Sequence, residues 1–266
     1  MLSPLYGQLS PLRVPTTMRF ISNDADVVAY VLAVEAADGQ RLEDGVISAY
    51  DSFIAGCKSD GIWSAIKASC ILAGARTLSG ALVPIVGSAP TNNNFVSVDY
   101  SRTTGLLSNG TTKNLNTNRR DNDDPRDSHH FAVYNTTSPS PAKSFGGVGS
   151  GATNLNNATG NAGNGRCRSA SIVSLGTGAS VGFKAIARES SLIVRGRANG
   201  TNYQTLNQAS TAPVTSFKGI FTRFVSSSGS ECDCRISFYS IGEFLDLAAF
   251  DNRVSTLMTA LAAAIP

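Results

Sequence analysis

The chain has 266 residues, 42% of them hydrophobic and 15% charged, with a formal net charge of +3. That length suits one large sandwich with appended helices, and so few, scattered positive charges exclude the clustered basic face of a nucleic-acid binder. No apolar run reaches the roughly 18 residues of a membrane span, and residues 1–20 lack the basic start and apolar core of a signal peptide. The expected site of synthesis and folding is therefore a cytoplasm.

Residues 1–22 set Leu2, Leu5, Leu9 and Leu12 among Pro4, Pro11 and Pro15. Proline removes a backbone donor and blocks helix and central-strand pairing, so this segment is expected to be an extended assembly arm docked on another subunit. Asn23-Asp24 caps a predicted helix over residues 25–37, with Val27, Val28, Val31, Leu32 and Val34 as its apolar positions and Asp38-Gly39 as its stop. A second helix follows over residues 43–58, carrying Val46, Ile47, Tyr50, Phe53, Ile54 and Cys57 at three-to-four spacing. The short link between them predicts a helical hairpin. Trp63 reads as a core or interface plug, and residues 70–72 as a first short strand after a helical turn. Pro84, Pro90 and three consecutive asparagines make residues 77–94 a loop crossing toward the sheets.

From residue 95 onward the spacing switches to alternation, which predicts a two-sheet antiparallel sandwich up to about residue 241. Asn109-Gly110 and Asn199-Gly200 are both expected to make tight hairpin turns, because Asn and Gly tolerate positive φ. Residues 116–128 carry Arg119, Arg120, Asp121, Asp123, Asp124, Arg126 and Asp127 and read as a solvated, self-neutralising loop without the EF-hand pattern of a calcium site. His129 and His130, adjacent on a strand, should point to opposite faces and so cannot share one metal. Residues 150–166, rich in Asn, Gly, Ala and Thr, have nothing to bury and read as a loop or edge excursion. A final helix is expected over residues 246–264, with Leu247, Phe250, Val254, Leu257, Met258 and Leu261 on one face. Cys57, Cys70, Cys167, Cys232 and Cys234 lack the spacing of a zinc site, and reduced thiols are expected. Hydrolase elbows, zinc-protease helices and phosphate-binding loops are absent from the sequence, so no catalytic, cofactor-binding or metal residue is nominated.

Residues 95–100 with Arg102, Gly105, Leu106 and residues 109–113, then His129 to Tyr134, form one group of motifs. Gly61-Ile62-Trp63, residues 73–78, and Arg235 to Glu243 with the final helix form another. Together they resemble a family of tailed-phage and prophage virion proteins, over most of the chain after about residue 24. The resemblance implies a mainly β, antiparallel jelly-roll (concanavalin A-like) sandwich with an N-terminal helical hairpin and a C-terminal helix. It divides the chain into an arm (1–22), a helical segment with a crossing loop (23–94) and a sandwich with its helix (95–266). It further implies a non-enzymatic virion component of the tail, fibre or baseplate, assembled in the bacterial host cytoplasm as a homo-oligomer with other virion proteins. Capsid decoration, binding of a host-surface glycan and carbohydrate-active catalysis are the alternatives.

Overall fold

The computed structural model describes residues 22–149, 153–157, 162–177, 181–224 and 231–266, and the expected arm with Leu2, Leu5, Leu9 and Leu12 lies outside them. Four helices are present among the described residues: α1 (Ala25–Asp38), α2 (Asp44–Ser59), α3 (Leu78–Ala81) and α4 (Leu247–Ala264). The strands are β1 (Ile66–Ile71), β2 (Thr91–Asn93), β3 (Tyr100–Ser101), β4 (Gly105–Leu107), β5 (Asn114–Arg120), β6 (His129–Asn135), β7 (Lys143–Val148) and β8 (Asn154–Asn157). They continue with β9 (Ala162–Arg166), β10 (Val173–Thr177), β11 (Gly182–Arg188), β12 (Ile193–Ala198), β13 (Thr201–Asn207), β14 (Phe217–Ile220), β15 (Arg223–Phe224) and β16 (Arg235–Gly242). The expected class is what the chain forms: mainly β, an antiparallel jelly-roll sandwich with two N-terminal helices and one at the C-terminal side.

α1 and α4 start where an aspartate side chain satisfies free backbone amides, and α1 stops at a glycine. Asp24 accepts from the amide of Asp26, Asp246 accepts from Ala248 and Ala249, and Gly39 ends α1 at φ +67°. The first sheet runs β13-β12-β11-β6-β16-β4-β3, with β1 also on β16; the second runs β10-β9-β8-β7-β14-β5-β2, with β15 on β7. Only the β15–β7 pair of named strands is parallel among the described residues.

Alternation along the strands builds three layers, helices on the first sheet and the first sheet on the second. On β6, Phe131 and Val133 join Leu115, Phe145, Val173 and Ile220 in the core between the sheets, while Ala132 joins the core under the helices. On β11, Phe183, Ala185 and Ala187 face the helices and Ile186 faces the second sheet. Both faces of the first sheet are thus covered, which explains why β6 and β11 are buried almost without a break. Phe250 of α4 sits at the centre of the helical core, with ring centroids of Phe183, Phe238 and His130 at 5.9, 5.8 and 5.8 Å. Each such edge-on contact contributes about 0.5–1.5 kcal/mol beyond the burial itself.

Five expectations change. The sandwich draws strands from before residue 95, because β1, which takes in most of the expected strand at 70–72, pairs with β16 and β2 pairs with β5. Asn109-Gly110 makes no hairpin: β4 lies in the first sheet and β5 in the second, so the chain crosses between sheets there. Asn109 Oδ1 instead accepts from the amides of Thr111, Thr112 and Lys113 at 3.1, 2.9 and 3.1 Å. The tight hairpin turn is at Asn199-Gly200, where φ is +46° and +80° between β12 and β13.

The polar tract 150–166 supplies β8 and β9, since ladder pairing uses backbone groups and its buried positions Gly163 and Gly165 need no apolar side chain. The stretch 116–128 is not a solvated loop, as the buried charges below show. Finally, Cys232 and Cys234 are joined as a disulfide, while Cys57, Cys70 and Cys167 are free and buried. The expected pairing of α1 with α2 is present, but α2 packs most extensively on α4.

Candidate functional site

Three polar assemblies stand out, and the first joins the helices to the first sheet. Asp38, at the end of α1, accepts from the amides of Arg76 and Thr77 at 2.7 and 2.8 Å and from Thr77 Oγ1 at 2.7 Å. Arg102 grips Glu43 with two bonds of 3.0 and 2.6 Å, and Arg76 reaches the same carboxylate at 3.1 Å. The Arg102 guanidinium accordingly holds the Glu43 carboxyl below its usual range. Arg102 also donates to the carbonyls of Gly74 and Ala75, Tyr100 donates to Ala75, and Tyr50 donates to Ala73. Replacing Asp38 by Ala strands three donors at once and is expected to cost about 2–4 kcal/mol of stability in urea unfolding; Asp38→Asn, which keeps one acceptor oxygen, should cost less.

The second assembly is an ionic cluster sealed between the sheets. Asp121, Asp124, His129, Arg168 and Lys218 have side chains with no solvent exposure. Lys218 Nζ lies 3.3 Å from Asp121 and 3.7 Å from Asp124, and donates to the carbonyl of Arg120. Arg119 completes the partners of Asp124, and Arg168 donates to the carbonyls of Pro125 and Asp121. Burial alone would raise both aspartates, but Lys218 and the neighbouring cations hold Asp121 below its usual range, and His129, Arg119 and Lys218 hold Asp124 far below. Burial, with Lys218 adding to it, pushes His129 down to about 3. Burial likewise pushes His130 down to about 4. The His130 ring is held by Ser240 Oγ at 2.8 Å and the Glu243 carbonyl at 2.5 Å, on the helix side of the sheet. The opposite-face expectation for the two histidines therefore holds. Arg188 binds the carbonyls of Cys167 and Arg168 at 2.8 Å each and clamps the segment that carries Arg168. Lys218, Arg168 and Arg119 surround the two aspartates, and apart from Arg119 at the rim none of these side chains reaches solvent, so the cluster fixes loops.

The third assembly is open. A groove of about 510 Å³ lies on the outer face of the first sheet, between the β12–β13 hairpin and the start of α4. Glu189, Arg195, Asn202, Thr205, Phe244 and Asp246 line it. Glu189 and Arg195 are ion-paired at 2.5 Å, Asn202 accepts from Arg197 at 2.6 Å, and Asp246 is engaged in capping α4. The groove offers guanidinium and amide donors, carboxylate acceptors and one aromatic side chain, a set suited to hydroxyl-rich ligands. Among the described residues no group of three His, Cys, Asp or Glu converges as metal ligands, and no helix is long and apolar enough to cross a membrane.

Sequence reasoning nominated the leucines of the arm, which lie outside the described residues, and nominated neither the ionic cluster nor the groove. Asp121 and Asp124 could not be told from surface acids, because Arg168 and Lys218 lie more than 40 residues away along the chain. The groove had a partial signal: Arg195 and Arg197 alternate with buried Val194 and Ala198 on β12, marking an outward polar face. Trp63 is half-buried beside the helical core, with the Lys58 ammonium 5.6 Å from its ring.

Taken together, these features define a three-layer β-sandwich protein whose helical cap is fastened to the sandwich by buried polar bonds. No protein-family model matches the sequence, and no curated protein does. Among solved structures, a mutant of HCR/D is 10% identical over 72% of this chain and 50% of its own, with a TM-score of 0.48. A Trypanosoma rangeli sialidase bound to 2,3-difluorosialic acid as a covalent intermediate is 8% identical over 80% of this chain and 38% of its own, with a TM-score of 0.48. A leech intramolecular trans-sialidase is 10% identical over 53% and 24%, with a TM-score of 0.29. The chain spans half or less of the length of each, and none of the three bears on activity.

Proposed function

We propose that this chain is a structural component of a tailed-bacteriophage virion, associated with the tail, fibre or baseplate, and that it works in assembly or host adsorption without catalytic turnover. The observation that carries the reading is where the residues of the sequence resemblance lie. Gly74, Arg76, Thr77 and Arg102 fasten helices to sheet, and Gly105 lies against the backbone of β16. The shared motifs are thus joints of the whole three-layer unit, as expected of a family defined by architecture. The partners are other virion proteins and further copies of the chain, and capsid decoration uses the same parts.

Mass spectrometry of gradient-purified particles from the producing host tests this directly. The chain is expected in the particles at a fixed ratio to the other virion proteins, and its absence from them, with the protein recovered only in the soluble fraction, overturns the proposal.

The groove favours a second reading, binding of a host-surface glycan. On a glycan array the purified protein should retain a defined set of sugars, and Asn202→Ala with Arg195→Ala should lose them. Release of reducing sugar from host envelope by the purified protein would turn that reading into catalysis.

A further inference from the structure

We propose that the outward face of α1 is the seat of residues 1–20 from a neighbouring copy of this chain. The proposal rests on the assembly reading above and says where the arm binds.

The helix α1 is apolar on two opposite sides. Val27, Tyr30, Val31 and Val34 are buried in the helical core. On the other side Ala25, Val28, Ala29, Leu32, Ala33 and Ala36 are exposed, with Leu32 at 53% and Val28 at 38%. The outward faces of the other long helices are built differently. Their exposed positions are Asp44, Gly45, Ser52, Ala55 and Ser59 on α2 and Ala248, Asn252, Thr256, Thr259, Ala262 and Ala263 on α4, with no exposed side chain as large as Val28 or Leu32. Apolar positions on two opposite sides are the pattern of a helix covered on both, and this chain covers only one side of α1 among the described residues.

Reach and the path of the chain select the occupant. The helix is 14 residues long, about 21 Å at 1.5 Å per residue. The ten residue steps from Leu2 to Leu12 span up to about 33 Å when extended, so the four leucines are enough to follow the whole stripe. The acids of α1 play no part in the choice, because Asp26 pairs with Lys58, Glu35 accepts from the amide of Leu42 and Asp38 is bonded to Arg76 and Thr77. Ser22 is buried and donates to Asp51 of α2, so the chain enters α1 from the side of α2, away from the exposed stripe. A segment arriving from a neighbour meets the stripe directly; the chain's own would first have to wrap the helix.

Among the described residues both apolar cores are made of residues from Val27 onward, and the sample for the test is a truncated protein 22–266 that melts cooperatively at the temperature of the full chain. A synthetic peptide of residues 1–20 is titrated onto the truncated protein 22–266. Saturable binding is expected, weakened at least about tenfold by Leu32→Glu and by Val28→Glu while the melting temperature stays the same. No binding, or binding indifferent to both substitutions, overturns the proposal. Light scattering on the full chain adds the second arm: Leu32→Glu should convert the oligomer to monomer, and truncation of residues 1–20 should do the same. A full chain that is monomeric while the peptide binds, or a truncated oligomer that Leu32→Glu dissolves, also overturns it, the latter by seating a second helix on the stripe. Because no particle is used, the result is independent of whether the chain is found in virions.

Discussion

Lowering the pH from 6.5 to 3 is expected to remove several kcal/mol of stability, and most of the loss should come before the carboxylates titrate. His129 and His130 fall from 6.5 to about 3 and about 4 on folding. Between those values the unfolded chain binds protons that the folded chain refuses, so stability falls as the pH drops below 6.5. Two such groups give a slope of at most about 2.7 kcal/mol per pH unit. Asp121 and Asp124 act in the same direction at lower pH: their depressed values contribute stability that is present above 3.8 and lost as the pH falls further. Urea midpoints measured from pH 8 to 4 report the slope, and a flat profile between 6.5 and 4.5 would show the histidines to be solvated. Asp124→Asn gives the matching test at pH 7. It leaves Lys218 and Arg119 without their shared counter-charge and should cost about 3–5 kcal/mol.

Replacing Gly105 by Ala is expected to be more damaging still. A Cβ there would lie 2.2 Å from the Ile236 carbonyl oxygen and 2.6 Å from Ser237 Cα, both backbone atoms of β16, and the residue already sits at φ +88°. Neither atom can swing aside as a side chain would, so the β3–β4 turn must leave the sheet. The Gly105 carbonyl, which accepts from Arg235 at 2.6 Å, leaves with it. A loss above about 4 kcal/mol follows, read as collapse of soluble yield or of the melting temperature. Gly200→Ala is the internal control: at φ +80° with nothing within 4 Å of the new methyl, it carries only the left-handed strain of about 1–2 kcal/mol. Equal effects of the two substitutions would refute the close-contact argument.

Local chemistry was legible and distant pairing was not. Asp24 and Gly39 announced the ends of α1 because a cap is satisfied within a few residues. Asn199-Gly200 announced its turn because both positions need positive φ. The same dipeptide logic failed at Asn109-Gly110, where the flanking strands belong to different sheets and Asn109 uses its side chain to cap the crossing instead. The strands β8 and β9 were hidden because a short chain of Asn and Gly adds to a sheet through its backbone, leaving no apolar alternation to read. The ionic cluster was hidden for the opposite reason: its acids look like any surface acids until Lys218 and Arg168 arrive from the far side of the sandwich.

The placement of β16 also governs the order in which the protein comes into being. This strand lies between β6 on one side and β4 and β1 on the other, and the partners Cys70 and Tyr239 are 169 residues apart. A ribosome adding about 5–20 residues per second keeps β1 waiting on the order of ten seconds for its partner. Throughout that interval the edge of β1 and the side of α2 that packs on α4 are uncovered, and so is the edge of β6 once it is made. The first sheet and its helical layer therefore close in one late step, after β16 and α4 emerge, and high concentrations of nascent chains should favour strand exchange between copies over completion of a single one.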